Sequence, residues 1–377
     1  MSQVEYVEID AVNHLFGILK EIGAKNVLLV TERKAFELCG AKEALESVLK
    51  SYNTREFTDI SEPPDYTSLM DGIEVFREFK PDVVIAVGGG SVIDTAKLVN
   101  YFSVQEHPPI DYIMENRMTL PGSTPLIAIP TTSGTGSEST RFAVLYIDGK
   151  KYSIDDQAIL PKFCIVDPSF SFSMPKRVAA SSGMDALCQA IESYWSVNSS
   201  EESKSYAREA LILAVKNIEC AVNTKERACI EAMSLAAHLA GKAINISRTT
   251  APHALSYAMT SLYGVPHGEA VSLTIGEVLA ANRLVSDCDV SDPRGLAYVR
   301  ETISEVINLL GCSSPEQARD KLKEISAVVG LRTRLSQCGI TKEDIEILSS
   351  SVNLKRLENN PRKLDKGIIE GILSNVL

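Results

Sequence analysis

The chain has 377 residues, enough for two cores, and 45% of them are hydrophobic, an ordinary share for globular domains. A formal charge of −11 argues against nucleic acid as a partner, because a phosphate backbone calls for a basic surface, while a small anion needs only a local group of cations. The start, MSQVEYVEIDAV, lacks a basic segment followed by an apolar run, and no stretch reaches the roughly 18 apolar residues of a membrane helix, so a cytoplasmic protein without a membrane partner is expected.

In chain order, the first half alternates short apolar runs with helical patterns. Val27 to Val30, Val83 to Val87, Leu126 to Ile129 and Cys164 to Val166 read as strands; Tyr66 to Phe79 and Ser91 to Tyr101 read as helices. Continuous apolar strands separated by helices predict a parallel sheet covered on both faces, in a doubly wound α/β domain over residues 1–168. From about residue 176 the strand signals stop. Helical patterns at Ala179 to Tyr194, Glu202 to Val222, Lys225 to Ile244, Ala254 to Leu262 and Gly268 to Asn282 predict an all-α domain over 169–377. The more highly charged 311–364 segment reads as solvated helical surface. Eight scattered cysteines without a C-x-x-C pair predict reduced thiols and no structural disulfide.

Two stretches stand out at strand ends. VVIAVGGGSVIDTAK is a strand, then Gly88, Gly89, Gly90 and Ser91, then a helix carrying Asp94. The glycines allow a tight turn and close approach, and a helix N-terminus favours a phosphate. IPTTSGTGSESTRFAV also follows a strand, and Thr131, Thr132 and Ser137 crowd around Gly134 and Gly136. Both loops are expected at the carboxyl edge of the sheet, where an extended phosphorylated cofactor binds.

GGGSVIDTAK followed by PTTSGTGSE, then IVDPSF, SGMDALCQAIESY and HALSYAMTSLYGVPHGEAV, resembles the iron-containing alcohol dehydrogenase family, in the family's order and over most of the chain. The resemblance implies a Rossmann-like nucleotide-binding domain, a helical domain and a divalent metal, in the architecture shared with dehydroquinate synthase-like proteins. It also implies reversible hydride transfer between NAD(H) or NADP(H) and a carbonyl, in a homodimer. Gly88, Gly89, Gly90, Ser91, Asp94, Thr131, Thr132 and Ser137 are then the cofactor set. Glu32 stands where the family often has Asp; its carboxylate accepts from a ribose 2′-OH and repels a 2′-phosphate, which favours NADH, although Arg33 and Lys34 beside it suit that phosphate. Lys151, in DGKKYSI, matches a lysine that approaches the nicotinamide end.

The resemblance implies metal ligands at Asp185, position 189, His253 and His267, with Fe2+ the expected ion and Zn2+ the other choice. Gln189 departs from the usual His, and three readings stay open: ligation through its carbonyl oxygen, a three-ligand site with water, or loss of the metal with Gln189 as a hydrogen bonder. Asp185 and Gln189 share a helix face at i, i+4 spacing; His253 begins a helix, and His267 is expected in a loop. Tyr257 stands where relatives often carry another His, and its phenol is suited to relay a proton or hold a substrate oxygen. Arg248, Thr249 and Thr250, together with Lys151, form an oxyanion-binding set. With ESYWSVN, these features are similar to one branch of the family, the phosphonoacetaldehyde reductases. The expected reaction is thus reduction of a small anionic or neutral aldehyde to a primary alcohol, phosphonoacetaldehyde to 2-hydroxyethylphosphonate first. A short-chain lactaldehyde- or butanol-type dehydrogenase is the alternative; a dehydroquinate synthase-like cyclase and a non-catalytic nucleotide-binding protein stand behind it.

Overall fold

The computed structural model describes residues 3–115, 117, 119–120, 124–352 and 354–377. The chain folds as two compact units, Met1–Met174 and Pro175–Leu377. The first unit runs past residue 168. Asp167 caps the Pro168–Ser171 turn through Ser169 N–H and also accepts from Val12 N–H, and Ser171 donates to Thr131 O, so this stretch stays tied to the sheet.

In the first unit a six-stranded parallel sheet has the order β1-β8-β5-β4-β2-β3, with β1 Val4–Val7, β2 Asn26–Thr31, β3 Asn53–Phe57, β4 Val83–Gly88, β5 Leu126–Pro130 and β8 Phe163–Val166. The central strands are apolar throughout because both faces are covered. Leu28, Val30, Val84, Ala86, Leu126 and Ala128 face the Tyr66–Phe79 and Gly90–Ser103 helices. Their sequence neighbours Val27, Leu29, Val83, Ile85, Ile127 and Ile129 face Leu15, Leu19, Phe36 and Leu45 on the other side.

One departure from the sequence reading is an antiparallel hairpin, β6 Phe142–Ile147 and β7 Lys150–Asp155. Its turn is Asp148-Gly149, with φ of 50° and 73°, a pair that tolerates the left-handed backbone a two-residue hairpin turn requires.

The second unit is helical, and no strand follows β8 among the described residues. The Lys176–Trp195, Glu201–Asn223 and Arg227–Ser247 helices pack on one another, and the His267–Arg283 helix packs on the first of these. The contact is close because Gly268 has no side chain; a Cβ there would lie 1.9 Å from Ser181 O. His267 is therefore the first residue of a helix, not a loop residue. Cys220 and Cys229 form a disulfide across the short connection between the second and third of these helices, and the other six cysteines are free. This overturns the expectation of reduced thiols throughout: helix packing brings together two residues nine apart that lack any recognisable spacing motif. No described helix is long and apolar enough to cross a membrane.

Candidate active site

The glycine loop and the Thr/Ser loop leave adjacent strands at one level. Gly88 pairs with Pro130 in the β4–β5 register, and Thr131 N–H donates to Gly88 O at 3.0 Å. A Cβ at Gly90 would come within 2.8 Å of Thr135, so the two loops touch because residue 90 is glycine. Gly89 precedes the Gly90–Ser103 helix, and no side chain caps that helix start. A cradle of small residues around uncapped N–H groups fits a diphosphate.

Some expected cofactor residues are engaged in the scaffold. Ser137 Oγ donates to Asp94 Oδ1 at 2.6 Å, and Asp94 Oδ2 accepts from Val144 N–H at 2.9 Å. Burial pushes the Asp94 carboxyl up, while Lys97, Ser137 and Val144 N–H hold it back. Thr131 is buried, and Thr132 and Ser91 are half-buried along the loop edge. Glu32 caps the Arg33–Leu38 helix, accepting from Lys34 and Ala35 N–H, so both carboxylate oxygens already have donors. Lys151 lies on β7 opposite Tyr146 and contributes positive charge near Asp94.

Lys97 was not singled out from the sequence, although it ends the GGGSVIDTAK motif. Its side chain is wholly buried, and Nζ lies 2.6 Å from Ser137 O, 2.8 Å from Thr140 O and 3.0 Å from Phe142 O. Burial pushes its pKa down to about 8, against the pull of Asp94 and Glu138. One ammonium thus pins the Thr/Ser loop to the helix that starts at the glycines.

In the second unit, Asp185 lies mid-way along the Lys176–Trp195 helix, His253 in the first turn of the Ala251–Tyr263 helix, and His267 at the start of the next. Their donor atoms lie within 4.8 Å of one another. Both imidazoles turn Nε2 toward Asp185 Oδ1, at 3.3 Å from His253 and 3.9 Å from His267. One carboxylate and two imidazole nitrogens converging at this spacing fit a divalent metal such as Fe2+ or Zn2+. Gln189 stands one helical turn from Asp185, and its amide nitrogen donates to Asp185 Oδ2 at 3.1 Å. The amide bonds the carboxylate of one donor residue, and the Asp185, His253 and His267 donors still converge.

Glu192 is the residue the sequence reading missed here. It is wholly buried and accepts from Thr250 N–H at 2.9 Å, Thr250 Oγ1 at 3.0 Å and His253 N–H at 3.3 Å, and it pairs with His253 Nδ1. A carboxylate on Nδ1 fixes which nitrogen faces a metal. Burial opposes the imidazolium, but Glu192 and Asp185 outweigh it and hold the His253 pKa up to about 9. The signal was present: Asp185, Gln189 and Glu192 share one face at i, i+4 and i+7.

Thr250 was expected to bind substrate. The structure instead buries it, with its hydroxyl between Trp195 Nε1 at 2.9 Å and Glu192. Thr249 bonds to Tyr257 through its side chain. Arg248 ends the Arg227–Ser247 helix at φ 67°, a backbone that non-glycine residues adopt at a cost of order 1–3 kcal/mol. The Tyr257 ring stacks on His267 at 6.2 Å and 8°.

The chain is similar to known proteins across both units. Residues 5–168 match the description "Iron-containing alcohol dehydrogenase", and residues 179–377 match "Fe-containing alcohol dehydrogenase family, C-terminal". The chain is 31% identical over 305 residues to a phosphonoacetaldehyde reductase of Streptomyces viridochromogenes, covering 77% of this chain and 75% of that protein. It is 30% identical to long-chain-alcohol dehydrogenase 1 of Geobacillus thermodenitrificans, over 92% and 88% of the two chains. A crystal structure of sulfoacetaldehyde reductase from Bifidobacterium kashiwanohense in complex with NAD+ superposes with a TM-score of 0.89 at 28% identity, covering 99% of this chain and 96% of the other. With an aldehyde reductase or alcohol dehydrogenase behind each match, the chain belongs to the iron-containing alcohol dehydrogenase family and is an oxidoreductase.

Proposed function

We propose that the protein reduces phosphonoacetaldehyde to 2-hydroxyethylphosphonate with NADH, using a divalent metal, Fe2+ first, held by Asp185, His253 and His267. The convergence of those three donors within 4.8 Å is the observation that carries the reaction class. The substrate rests on the phosphonoacetaldehyde and sulfoacetaldehyde reductases among the similar proteins, both of which take a two-carbon aldehyde bearing a tetrahedral oxyanion. A cytoplasmic homodimer belongs to this reading through the family resemblance alone.

When bound, the metal supplies Lewis acidity at the carbonyl oxygen, and the nicotinamide supplies hydride. The chain supplies placement. Gly88, Gly89, Gly90 and the following helix N-terminus take the cofactor diphosphate, with Ser91, Thr131 and Thr132 at the loop edge and Lys151 toward the nicotinamide. Glu32 contributes a negative charge at the end of β2 that disfavours a 2′-phosphate. Glu192, paired with His253 Nδ1, orients the ring so that Nε2 faces Asp185. Gln189 restrains the Asp185 carboxylate from its second oxygen. Arg248 and Thr249 offer donors to the phosphonate, and Tyr257 returns a proton to the product oxygen, directly or through water.

A second reading, a reductase of neutral aldehydes, is favoured by the long-chain-alcohol dehydrogenase relative. Initial rates of NADH and NADPH oxidation on Fe2+-loaded protein decide between them. The expected result is a kcat/KM for phosphonoacetaldehyde at least 100-fold above that for butanal, about 2.7 kcal/mol of discrimination, with NADH preferred. Equal rates, or faster turnover of butanal, would favour the second reading. No oxidation of either nucleotide with any aldehyde would remove both.

A further inference from the structure

A cation that the sequence reading passed over lies against Tyr257, the aromatic neighbour of His267. The Arg356 guanidinium lies 4.9 Å from the centre of the Tyr257 ring, and that ring stacks on His267. Arg356 is half-buried. Among the described residues no acidic side chain makes an ion pair with it, whereas Arg294, Arg332 and Arg362 in the same unit are each paired with a carboxylate. A guanidinium packed on an aromatic face keeps its planar fork of N–H donors aimed away from the ring. Such a fork matches two oxygens of a tetrahedral anion.

We propose that Arg356 is a specificity-determining residue that takes the phosphonate or sulfonate of an aldehyde whose carbonyl lies at the Asp185–His253–His267 centre. The proposal rests on the reading of the protein as a reductase of anionic aldehydes. Tyr257 joins the two: its ring packs on His267 and carries the Arg356 guanidinium, one aromatic wall shared by the donor cluster and the cation. Thr249, bonded to the same tyrosine, adds a hydroxyl on that wall. A neutral aldehyde has no group for the guanidinium, so Arg356 acts on the choice of substrate and leaves hydride transfer itself untouched. In a chain of formal charge −11, a cation without an acidic partner near the site also favours the approach of an anion.

The test uses the full-length, metal-loaded protein and the Arg356→Gln and Arg356→Lys variants, with phosphonoacetaldehyde, sulfoacetaldehyde and propanal as substrates. Calorimetry with 2-hydroxyethylphosphonate in the presence of NAD+ gives a binding readout independent of turnover. Arg356→Gln is expected to lower kcat/KM at least 30-fold for the anionic aldehydes, mainly through KM, and less than threefold for propanal. Arg356→Lys should recover part of the loss, and product affinity should fall in parallel with the KM effect. A loss confined to one of the two anions identifies which oxyanion the residue serves. Equal losses on propanal and the anionic aldehydes would show that Arg356 only packs on Tyr257, and would overturn the proposal. If the wild type prefers the anionic aldehydes and Arg356→Gln leaves that preference intact, the proposal fails while the substrate reading stands. If the wild type shows no such preference, both fail together.

Discussion

At the scale of single residues, two buried side chains organise the chemistry from behind. Glu192 is wholly buried. It carries the Nδ1 side of His253 and the start of the helix on which His253 sits. Glu192→Gln keeps the shape of the residue and removes the charge. It should weaken metal affinity by about 10–100-fold, read by competition with a chelator; unchanged affinity would return Glu192 to a merely structural role. Lys97 has the corresponding place behind the nucleotide loops. Its ammonium serves carbonyls of Ser137, Thr140 and Phe142, and Lys97→Met leaves them without that donor in a buried site. Calorimetry should show NADH affinity at least tenfold lower and a stability loss of about 1–3 kcal/mol. Unaltered NADH binding would contradict the clamp. Both residues sit inside motifs quoted from the sequence. They were passed over because a buried carboxylate or lysine is recognised by its partners, and the partners lie 58 residues away in one case and 40 in the other.

At the scale of elements, the apolar runs made the central strands legible, and i, i+4 spacing put Asp185 and Gln189 on one face. The edge strands β1 and β3 are only partly apolar and carry no such signal. The β6–β7 hairpin was missed although Asp-Gly marks its turn, because β7, with the sequence KKYSID, has no continuous apolar run. The donor cluster depends on how closely two helices approach. Asp185 and His267 sit on helices that cross at Gly268, where a Cβ would meet Ser181 O at 1.9 Å and Asp185 Cβ at 2.9 Å. Gly268→Ala must therefore push the helices apart. Overpacking at such a crossing costs about 1–3 kcal/mol, and here it also separates two metal donors. A chemical melt with and without metal should show both the destabilisation and a smaller metal-induced gain than the wild type; a normal gain would mean the crossing does not set the donor spacing. The Cys220–Cys229 link shows the limit of reading from composition: scattered cysteines have no visible partner until two helices are packed.

Across the whole molecule, the proposed function divides by unit: the loops read as the nucleotide site lie in Met1–Met174 and the residues read as metal donors in Pro175–Leu377. The helical unit also carries its own dependence on acid. Burial tends to raise the Glu269 carboxyl, but Arg332, donating from Nε at 2.6 Å, from Nη2 and from its backbone, holds it below the usual 4.5. Asp289 is likewise lowered by Ser286 and Arg362 against its burial. A carboxylate with a depressed folded pKa contributes stability that is complete above the unfolded value and is lost as pH falls through the folded one. Urea midpoints should therefore hold steady above about pH 5 and fall as the solution is taken below about 4.5, and Glu269→Gln should lower the plateau and flatten the fall. A midpoint in that variant that declines as steeply as the wild type would show that Glu269 contributes nothing to it.

The most direct measurement strips the protein of metal with a chelator, returns Fe2+ in sub-stoichiometric steps, and follows bound metal and NADH oxidation by phosphonoacetaldehyde in the same samples. The account expects both to rise together and to level off at about one ion per chain, as for a single three-residue donor set, with His267→Ala binding little metal and turning over little NADH. Full turnover by the stripped protein, or normal metal binding and activity in His267→Ala, would contradict it.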